Sequence, residues 1–548
     1  MPAVIPIPTA MTTSDAPTVV VPQVVRIDAP PRLEAAARHL VDGAGRFLGV
    51  DWRRANAGQG YRITLAIDAD DPRFDTMPSP LGVSPSGADP RDEAYRLSAT
   101  GSGIEIVGRS EEGVFRAIST LIQSVESQDG ELLHHQLTVT DAPRYAWRGL
   151  SLDVVRTFFT VAEVKQVIDM LVLYKFNVLH LHLTDDQGWR LEIDGYPELT
   201  EVGATGAVDS RPGGFYTKAD YAELVGYAAE RFVTIVPEVE MPAHIGAVAR
   251  SLPDLAVDRS GRQPWLNPDD PATREFVRDV LREIASQTPG PYLHIAGDEP
   301  SGMPDDDYVR FVDDVVGVVR DLGKKVVGWQ EIGRTDIGPA EMAQYWVSFT
   351  WDPESLFEPE NVPEGVEVTP EYQREVRETF SKAAADAERL IAKGARVLLS
   401  PASFVYFDTP YGEPSNDPAE KQTRARLGIP AYGAQTIEAA FGWDPATILP
   451  AAGALIAGVE GAIWCETVRD FEDLQFLLLP RLPGVAERAW STKASDWDDY
   501  RGRLSEHARL WRRAGWTYFA ANSVWPRATA PSPVPGTLLT DSDNAANL

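Results

Sequence analysis

Tyr292-Leu293-His294-Ile295-Ala296-Gly297-Asp298-Glu299 decides how the rest of the chain is read. An apolar run that stops at a glycine and two adjacent carboxylates is how a buried parallel strand looks when acid/base chemistry sits at its C-terminal end. Barrel enzymes keep their catalytic residues at that end of their strands. Alone, Gly-Asp-Glu also describes an ordinary solvated turn, so the weight falls on what surrounds it.

Working outward, strand-like runs alternate with helix-like segments from Trp147 onward. The strand candidates are 149–155, 177–184, 232–240, 292–299, 325–331, 342–347, 396–400 and 458–466. Segments such as EVKQVIDMLVLYKF and TREFVRDVLREIASQ separate them with helical periodicity. This alternation predicts an α/β chain built on a (β/α)₈ TIM barrel. One unit is irregular, because too few residues separate the fifth and sixth candidates for a full helix. No Gly-x-Gly-x-x-Gly opens a helix after the first strand, which disfavours the doubly wound dinucleotide fold. A last helix at 497–516 is expected to pack on the barrel.

Before the barrel, β-rich runs (TVVVPQVVRID, YRITLAID, IEIVG) and two helix-like segments predict a smaller α+β domain. It carries no acid pair, glycine loop or histidine cluster, so its expected role is structural. The chain then divides into a flexible N-terminal tail at 1–16, the α+β domain at 17–142, the catalytic barrel with its C-terminal helix at 143–525, and a flexible C-terminal tail at 526–548.

Composition narrows the function. Hydrophobic residues at 43% and charged residues at 24% describe a globular protein with a substantial core. A formal charge of −30 argues against nucleic acid or an anionic membrane as partner, because phosphate contacts need clustered Lys and Arg. The single cysteine, Cys465, allows neither an internal disulfide framework nor a cysteine zinc site, and nothing basic adjoins it, so it reads as a small core residue. No run reaches the roughly 18 apolar residues of a membrane span. The N-terminus lacks a basic start and a long proline-free apolar run, so a cytoplasmic location is expected, with secretion open if a leader has been trimmed. Oligomeric state is not readable.

The strand ends carry Asp153 and Arg156, then Asp185 and Asp186, Glu238, Glu240 and His244, Asp298 and Glu299, Trp329 and Glu331, Trp346, Tyr406 and Asp408, and Trp464 and Glu466. Indoles stack on apolar sugar faces while carboxylates and a guanidinium bind hydroxyls, so this mixture suits a neutral carbohydrate. Tyr406 and Asp408 lie two apart, as do Trp464 and Glu466, which puts each pair on one side of an extended backbone. Glu238, Glu240 and His244 have ligand-type side chains, but one histidine with carboxylates is a weak metal signature, and neither metal nor cofactor is expected.

These motifs resemble the β-N-acetylhexosaminidases of glycoside hydrolase family 20. The matching stretches are LDVVRTFF (152–159), HLHLTDDQGWR (180–190), PEVEMPAH (237–244), HIAGDE (294–299), VVGWQE (326–331), QYW (344–346), SPAS with Tyr406 and Asp408, GAIWCE (461–466) and LPRLPGVAERAW (479–490). They span the barrel and, more weakly, the domain before it. Glu240, Ala243 and Ala296 depart from the family's usual Asp, Gly and Gly, and an acidic segment at 348–371 has no counterpart.

The resemblance implies substrate-assisted hydrolysis, in which the sugar's 2-acetamido oxygen attacks its own anomeric carbon. Glu299 would be the acid and then the base, Asp298 would hold the acetamido N–H, and Tyr406 would donate to the acetamido oxygen. Trp329, Trp346 and Trp464 would wall the pocket. Arg156, Asp408 and Glu466 would bind the outer hydroxyls and make the enzyme exo-acting on small β-linked N-acetylhexosaminides. Asp185 and His244 would orient Glu299 without touching the sugar. Two other readings stand beside this one: a two-carboxylate glycosidase using Glu331 or Glu466 as nucleophile, and a sugar-binding protein that has lost catalysis.

Overall fold

The computed structural model describes residues 1–526 except 22, 55–60, 76–79, 81, 84–91, 129–130, 258–262, 349–353, 355–356 and 359–367. Eight parallel strands, Trp147–Asp153, Val178–His182, Thr234–Glu238, Tyr292–His294, Lys325–Trp329, Met342–Tyr345, Arg396–Leu399 and Ile456–Ile463, close into a barrel in sequence order. The first strand pairs with both the second and the eighth, Leu150 lying opposite Leu179 and Gly461. The first three strands are buried throughout, which is why such strands read as continuous apolar runs.

Helices surround the strands and are started by their own sequences. Thr160 and Glu163 form a capping box ahead of Val161–Leu173, and Thr217 and Asp220 do the same for Lys218–Ala229. The helix Asp305–Asp321 buries Tyr308, Phe311, Val312, Val315, Val316 and Val319, a stripe at helical spacing that faces the barrel. Between the fifth and sixth strands there is only the 3₁₀ turn Gln330–Arg334, as the short spacing requires.

The floor of the barrel is apolar. Trp147, Val178, Val236, Val327, Met342, Leu398 and Ala457 pack together with Val83, which the N-terminal domain contributes. That domain is a seven-stranded sheet in which Tyr95–Thr100, Gly103–Gly108 and Tyr61–Ile67 are central. Its helix Glu111–Ser124 is buried on nearly every side because it lies between this sheet and the barrel. Ser119 and Gln123 donate to the carbonyls of Val172 and Leu173, and Arg116 donates to those of Phe176 and Phe232.

The structure corrects the flexible tail expected at 1–16. Val4 and Ile5 are fully buried. The Ile5 N–H donates to Gln123 Oε1 at 2.7 Å and the Ile7 N–H to Glu487 Oε2 at 2.7 Å. Residues Ala10–Thr13 then add a strand to the sheet edge beside Leu137–Asp141. Side-chain acceptors from distant elements satisfy the backbone donors of this segment and hold it in place. The expected C-terminal tail lies outside the described residues from 527 onward, as does much of the acidic 348–371 segment.

Glu93 ties the two domains together. It accepts from Arg116 Nε at 2.8 Å and pairs with Arg148 on the first barrel strand, with all three side chains essentially inaccessible. Removing one member of a buried ion cluster leaves uncompensated charge, at a cost of about 3–5 kcal/mol. Glu93→Ala is therefore expected to lower the unfolding free energy by that amount, seen as a lower urea midpoint, and a midpoint within experimental error of the wild type would refute this role.

Candidate active site

Every barrel strand runs into the same mouth, and the run after Tyr292–His294 forms its centre. Ala296, Gly297 and Glu299 all have positive φ, at 54°, 91° and 43°, and so does His244 at 52°. Left-handed backbone at non-glycine residues costs of order 1–3 kcal/mol each and persists only where surrounding contacts enforce it. Here they do. Tyr308 Oη donates to the Gly297 carbonyl at 2.7 Å, and the Trp329 N–H donates to the Ala296 carbonyl at 2.8 Å. Ala296 therefore occupies a conformation glycine would adopt without strain, and its departure from the family's glycine is more than a small steric change.

One pocket of about 490 Å³ opens at this mouth. Arg156, Asp185, His244, Asp298, Glu299, Trp329, Trp346, Tyr406, Trp464 and Glu466 all line it. Asp408, expected beside them, does not reach the lining. It is fully buried, and neither carboxyl oxygen has a hydrogen-bond partner among the described residues. Burial and the neighbouring Glu466 raise its pKa well above the usual carboxylate range. Glu331 is also absent from the lining; it sits behind Trp346, whose Nε1 donates to it at 3.2 Å, and burial with the nearby Asp298 raises its pKa to about 8. Cys465 is fully buried, and burial raises its thiol pKa well above normal.

The aromatic wall is contiguous. The Trp329 and Trp464 rings are 5.9 Å apart, Trp329 and Trp346 6.3 Å, and Tyr406 and Trp464 6.2 Å. The Arg156 guanidinium lies 5.3 Å from the Trp464 ring centre, with Nε 3.7 Å from Glu466 Oε1. Two further residues line the pocket that sequence reading did not assign to it, Glu240 and Tyr432. Tyr432 closes a 3₁₀ turn, Pro430–Tyr432, in a long connection without periodicity, so no sequence signal marked it.

Beneath the pocket runs a buried polar column that the sequence reading missed. Trp147 Nε1 donates to Glu460 at 2.7 Å, and Glu460 faces His180 Nδ1 at 2.9 Å. His180 Nε2 lies 3.1 Å from Glu238. Glu238 also accepts from His182 Nδ1 at 2.5 Å and Trp329 Nε1 at 2.8 Å, and it lies 2.8 Å from His294 Nδ1, which accepts the Ala296 N–H at 3.1 Å. His182 Nε2 continues to Asp185 at 2.8 Å, and Arg156 Nη1 meets the same oxygen at 2.7 Å. From Asp185 the column reaches His244 at 3.5 Å, whose Nε2 stands 3.3 Å from Glu299 and 3.7 Å from Asp298. A signal existed in the period-two pattern His180-x-His182 and Glu238-x-Glu240, polar residues repeating on one face of otherwise apolar strands.

These contacts fix the charges. Burial disfavours charge on His180 and His182, but Glu238 and their other carboxylate partners outweigh it and raise the pKa values to about 9 and about 10. Burial opposes ionisation of Asp185, yet Arg156 and His244 hold its carboxyl well below normal. Burial raises Asp298 to about 7, with His244 opposing and Glu238 and Glu299 reinforcing the shift. Burial dominates at Tyr406, whose hydroxyl is pushed well above 10 and so stays a donor.

The trio weighed for a metal, Glu238, Glu240 and His244, is not assembled. Instead His180/Glu238/His294, His182/Glu238/Glu240 and Asp185/Asp186/His244 each bring three ligand atoms within 4.8 Å. In each group hydrogen bonds or ion pairs within the column already engage the histidine nitrogens facing the carboxylates.

The fold and site have close counterparts. Residues 145–308 and 303–493 match the description "Glycosyl hydrolase family 20, catalytic domain", and residues 1–142 match "Glycosyl hydrolase family 20, domain 2". A β-N-acetylhexosaminidase of Cellulomonas fimi is 38% identical over 97% of this chain and 99% of its own. The GH20 β-N-acetylhexosaminidase of Streptomyces coelicolor A3(2) superposes with a TM-score of 0.76 at 33% identity, covering 95% of this chain and 97% of that one. The N-acetyl-β-hexosaminidase of Streptomyces plicatus, solved with Thio-NAglucal, gives the same TM-score and identity over 95% and 96% of the two chains.

The column links stability to pH. His180 and His182 stand above the unfolded histidine value of about 6.5, so their contribution is full below pH ~6.5 and is lost as pH rises through about 9 to 10. The stability gap between the wild type and His182→Gln, read by urea unfolding, is expected to narrow steadily from pH 6.5 to 10. A gap that stays constant across that range would contradict the assignment.

Proposed function

The chain belongs to glycosyl hydrolase family 20, and from that premise we propose that its pocket holds one terminal N-acetylhexosamine while the sugar's own acetamido group does the work of a nucleophile. The activity is that of an exo-acting, retaining β-N-acetylhexosaminidase. The observation that carries the residue-level reading is the Asp298-Glu299 pair in the pocket lining, with Asp298 Oδ1 buried and lacking a hydrogen-bond partner among the described residues. An acetamido N–H is the donor that atom lacks.

In the first step the acetamido oxygen forms a bond to the anomeric carbon as the bond to the leaving oxygen breaks. Glu299 gives that oxygen its proton. Asp298 accepts the acetamido N–H and balances the positive charge of the cyclised intermediate, and Tyr406 Oη donates to the acetamido oxygen to aim it. In the second step water attacks the anomeric carbon, its proton returns to Glu299, and the ring of the intermediate reopens. Two inversions give net retention. Holding the nucleophile within the substrate draws on effective molarities of roughly 10⁵–10⁸ M, so no second carboxylate is required.

Trp329, Trp346 and Trp464 would enclose the acetamido methyl and one sugar face. Arg156, Glu466 and Asp408 would take the outer hydroxyls. Among the described residues the buried Arg156 Nε, Glu466 Oε2 and both Asp408 oxygens have no hydrogen-bond partner, and such atoms favour a ligand that supplies one. Chain ends of chitin oligosaccharides and of glycoconjugates both fit a pocket of this kind. The two-carboxylate alternative is weakened by Glu331, which is shielded behind Trp346 and does not line the pocket.

An aryl β-glucoside is expected to react many orders of magnitude more slowly than its N-acetylglucosaminide counterpart, because the missing group is the reactant. Lost methyl contacts alone would cost only about 10- to 200-fold. Comparable rates, or a glycosyl adduct trapped on Glu331 or Glu466, would favour the two-carboxylate route. Glu299→Gln is expected to fold normally and lose about 10²- to 10⁴-fold in turnover of a chitobiose-type disaccharide; near-full turnover would remove Glu299 from the acid role.

A further inference from the structure

Glu240 has no assigned task in the reaction, yet it occupies the pocket wall. It lies two residues beyond Glu238, and its N–H donates to Thr184 Oγ1 at 2.8 Å. The Val239 N–H donates to the His294 carbonyl, which lays this stretch alongside the run ending in Asp298. The residue is 3% exposed, and among the described residues neither carboxyl oxygen has a hydrogen-bond partner.

The surroundings offer no counter-charge to spare. The nearest cation, His182, has Nδ1 3.6 Å from Glu240 Oε1 but commits that N–H to Glu238 at 2.5 Å. Its other nitrogen and the Arg156 guanidinium both bind Asp185. His244 faces Asp185, Asp298 and Glu299 from the loop beyond Glu240. Asp298 and Glu299 approach from beyond the fourth strand, Asp185 from beyond the second and Glu238 from Glu240's own strand, so among the described residues carboxyls outnumber cations. An ionised carboxylate without donor, counter-ion or water is far less stable than its acid form.

We propose that Glu240 is a positioning residue that works as a neutral acid: its O–H donates into the Asp298 carboxylate, the two groups hold one proton between them, and the negative charge stays on Asp298. Burial raises the Glu240 pKa well above normal, reinforced by Asp298 and Glu238 and opposed by His244. The shared proton reconciles two demands on Asp298, which must be charged to steady a cationic intermediate yet sits where burial favours its neutral form. This inference rests on the role proposed above for Asp298.

Glu240→Gln keeps a neutral N–H donor, whereas Glu240→Met keeps the bulk and removes the donor. In the wild type, kcat/KM on an aryl N-acetyl-β-glucosaminide falls on the acid side as Asp298 takes up its proton. Losing a donor to the charged form makes Asp298 easier to protonate, so Glu240→Met is expected to move that limb up by about one pH unit. It should also lose roughly 10- to 100-fold in kcat at pH 7 with little change in KM. Glu240→Gln should keep the limb in place and lose less than ~10-fold. A limb that drops by about a unit in Glu240→Gln would show that Glu240 is ionised, and a wild-type limb in Glu240→Met would show that the groups are uncoupled; either overturns the proposal.

Carboxyl ¹³C NMR of glutamate-labelled protein separates this inference from the function it rests on. A protonated glutamate signal at pH 7 that vanishes in Glu240→Gln supports the pair whatever the enzyme hydrolyses. Its absence from an enzyme that does hydrolyse N-acetylglucosaminides overturns the pair alone. Glu331, with its pKa raised to about 8 by burial and Asp298, gives a comparable signal that persists in the variant.

Discussion

A carboxylate on the axis of a barrel survives out of water only when donors surround it, and Glu238 is surrounded. Its two oxygens gather His180 and His182 from the second strand, His294 from the fourth and Trp329 from the fifth. One side chain thereby fixes where four consecutive strands stand relative to one another. Burial opposes its charge, but the three histidines hold its pKa well below normal. The usual barrel interior is layers of branched apolar side chains; here that description fits the floor alone. Above it, position is set by directional bonds, which tolerate less displacement than packing does.

That rigidity reaches the reacting groups. Asp185 takes His182 on one side and Arg156 on the other, then faces His244, so acid, hydroxyl binder and orienting histidine share one network. The left-handed backbone at Ala296 and Glu299 is affordable in this setting because Trp329, whose indole is anchored on Glu238, also holds the Ala296 carbonyl through its own N–H. Strain at the mouth and hydrogen bonds in the interior belong to one arrangement.

Much of this was legible because period and position carry it. Apolar runs alternating with helical segments pointed to all eight barrel strands, and Gly297-Asp298-Glu299 marked the mouth. What stayed hidden depended on long-range pairing. His180 and Glu460 sit within strands and His182 and His294 end theirs, and the role of such a polar residue shows only once its partner on another strand is known. The family match gave Asp408 its hydroxyl-binding role and the spacing from Tyr406 gave its side, but neither says that its carboxyl lies fully buried. The first sixteen residues misled because composition reports on what a segment can bury alone, whereas Ile5 and Ile7 bond to Gln123 and Glu487, far along the chain.

The excess of carboxyls over cations at the mouth looks wasteful for a neutral sugar, and its value appears only along the reaction coordinate. Burial raises Asp298 to about 7 and drives Asp408 higher, so Asp298 sits at the edge of ionisation while Asp408 carries no unpaired charge. As the acetamido oxygen closes on the anomeric carbon, positive charge grows on the ring where these groups converge. The charged form of Asp298 is then favoured over its acid form more than it was in the ground state, and stabilisation increases with the charge it answers. Oriented groups in a water-poor site need no reorganisation to do this. Such a pocket binds the uncharged substrate modestly and the cationic intermediate tightly, which is the difference that accelerates a reaction.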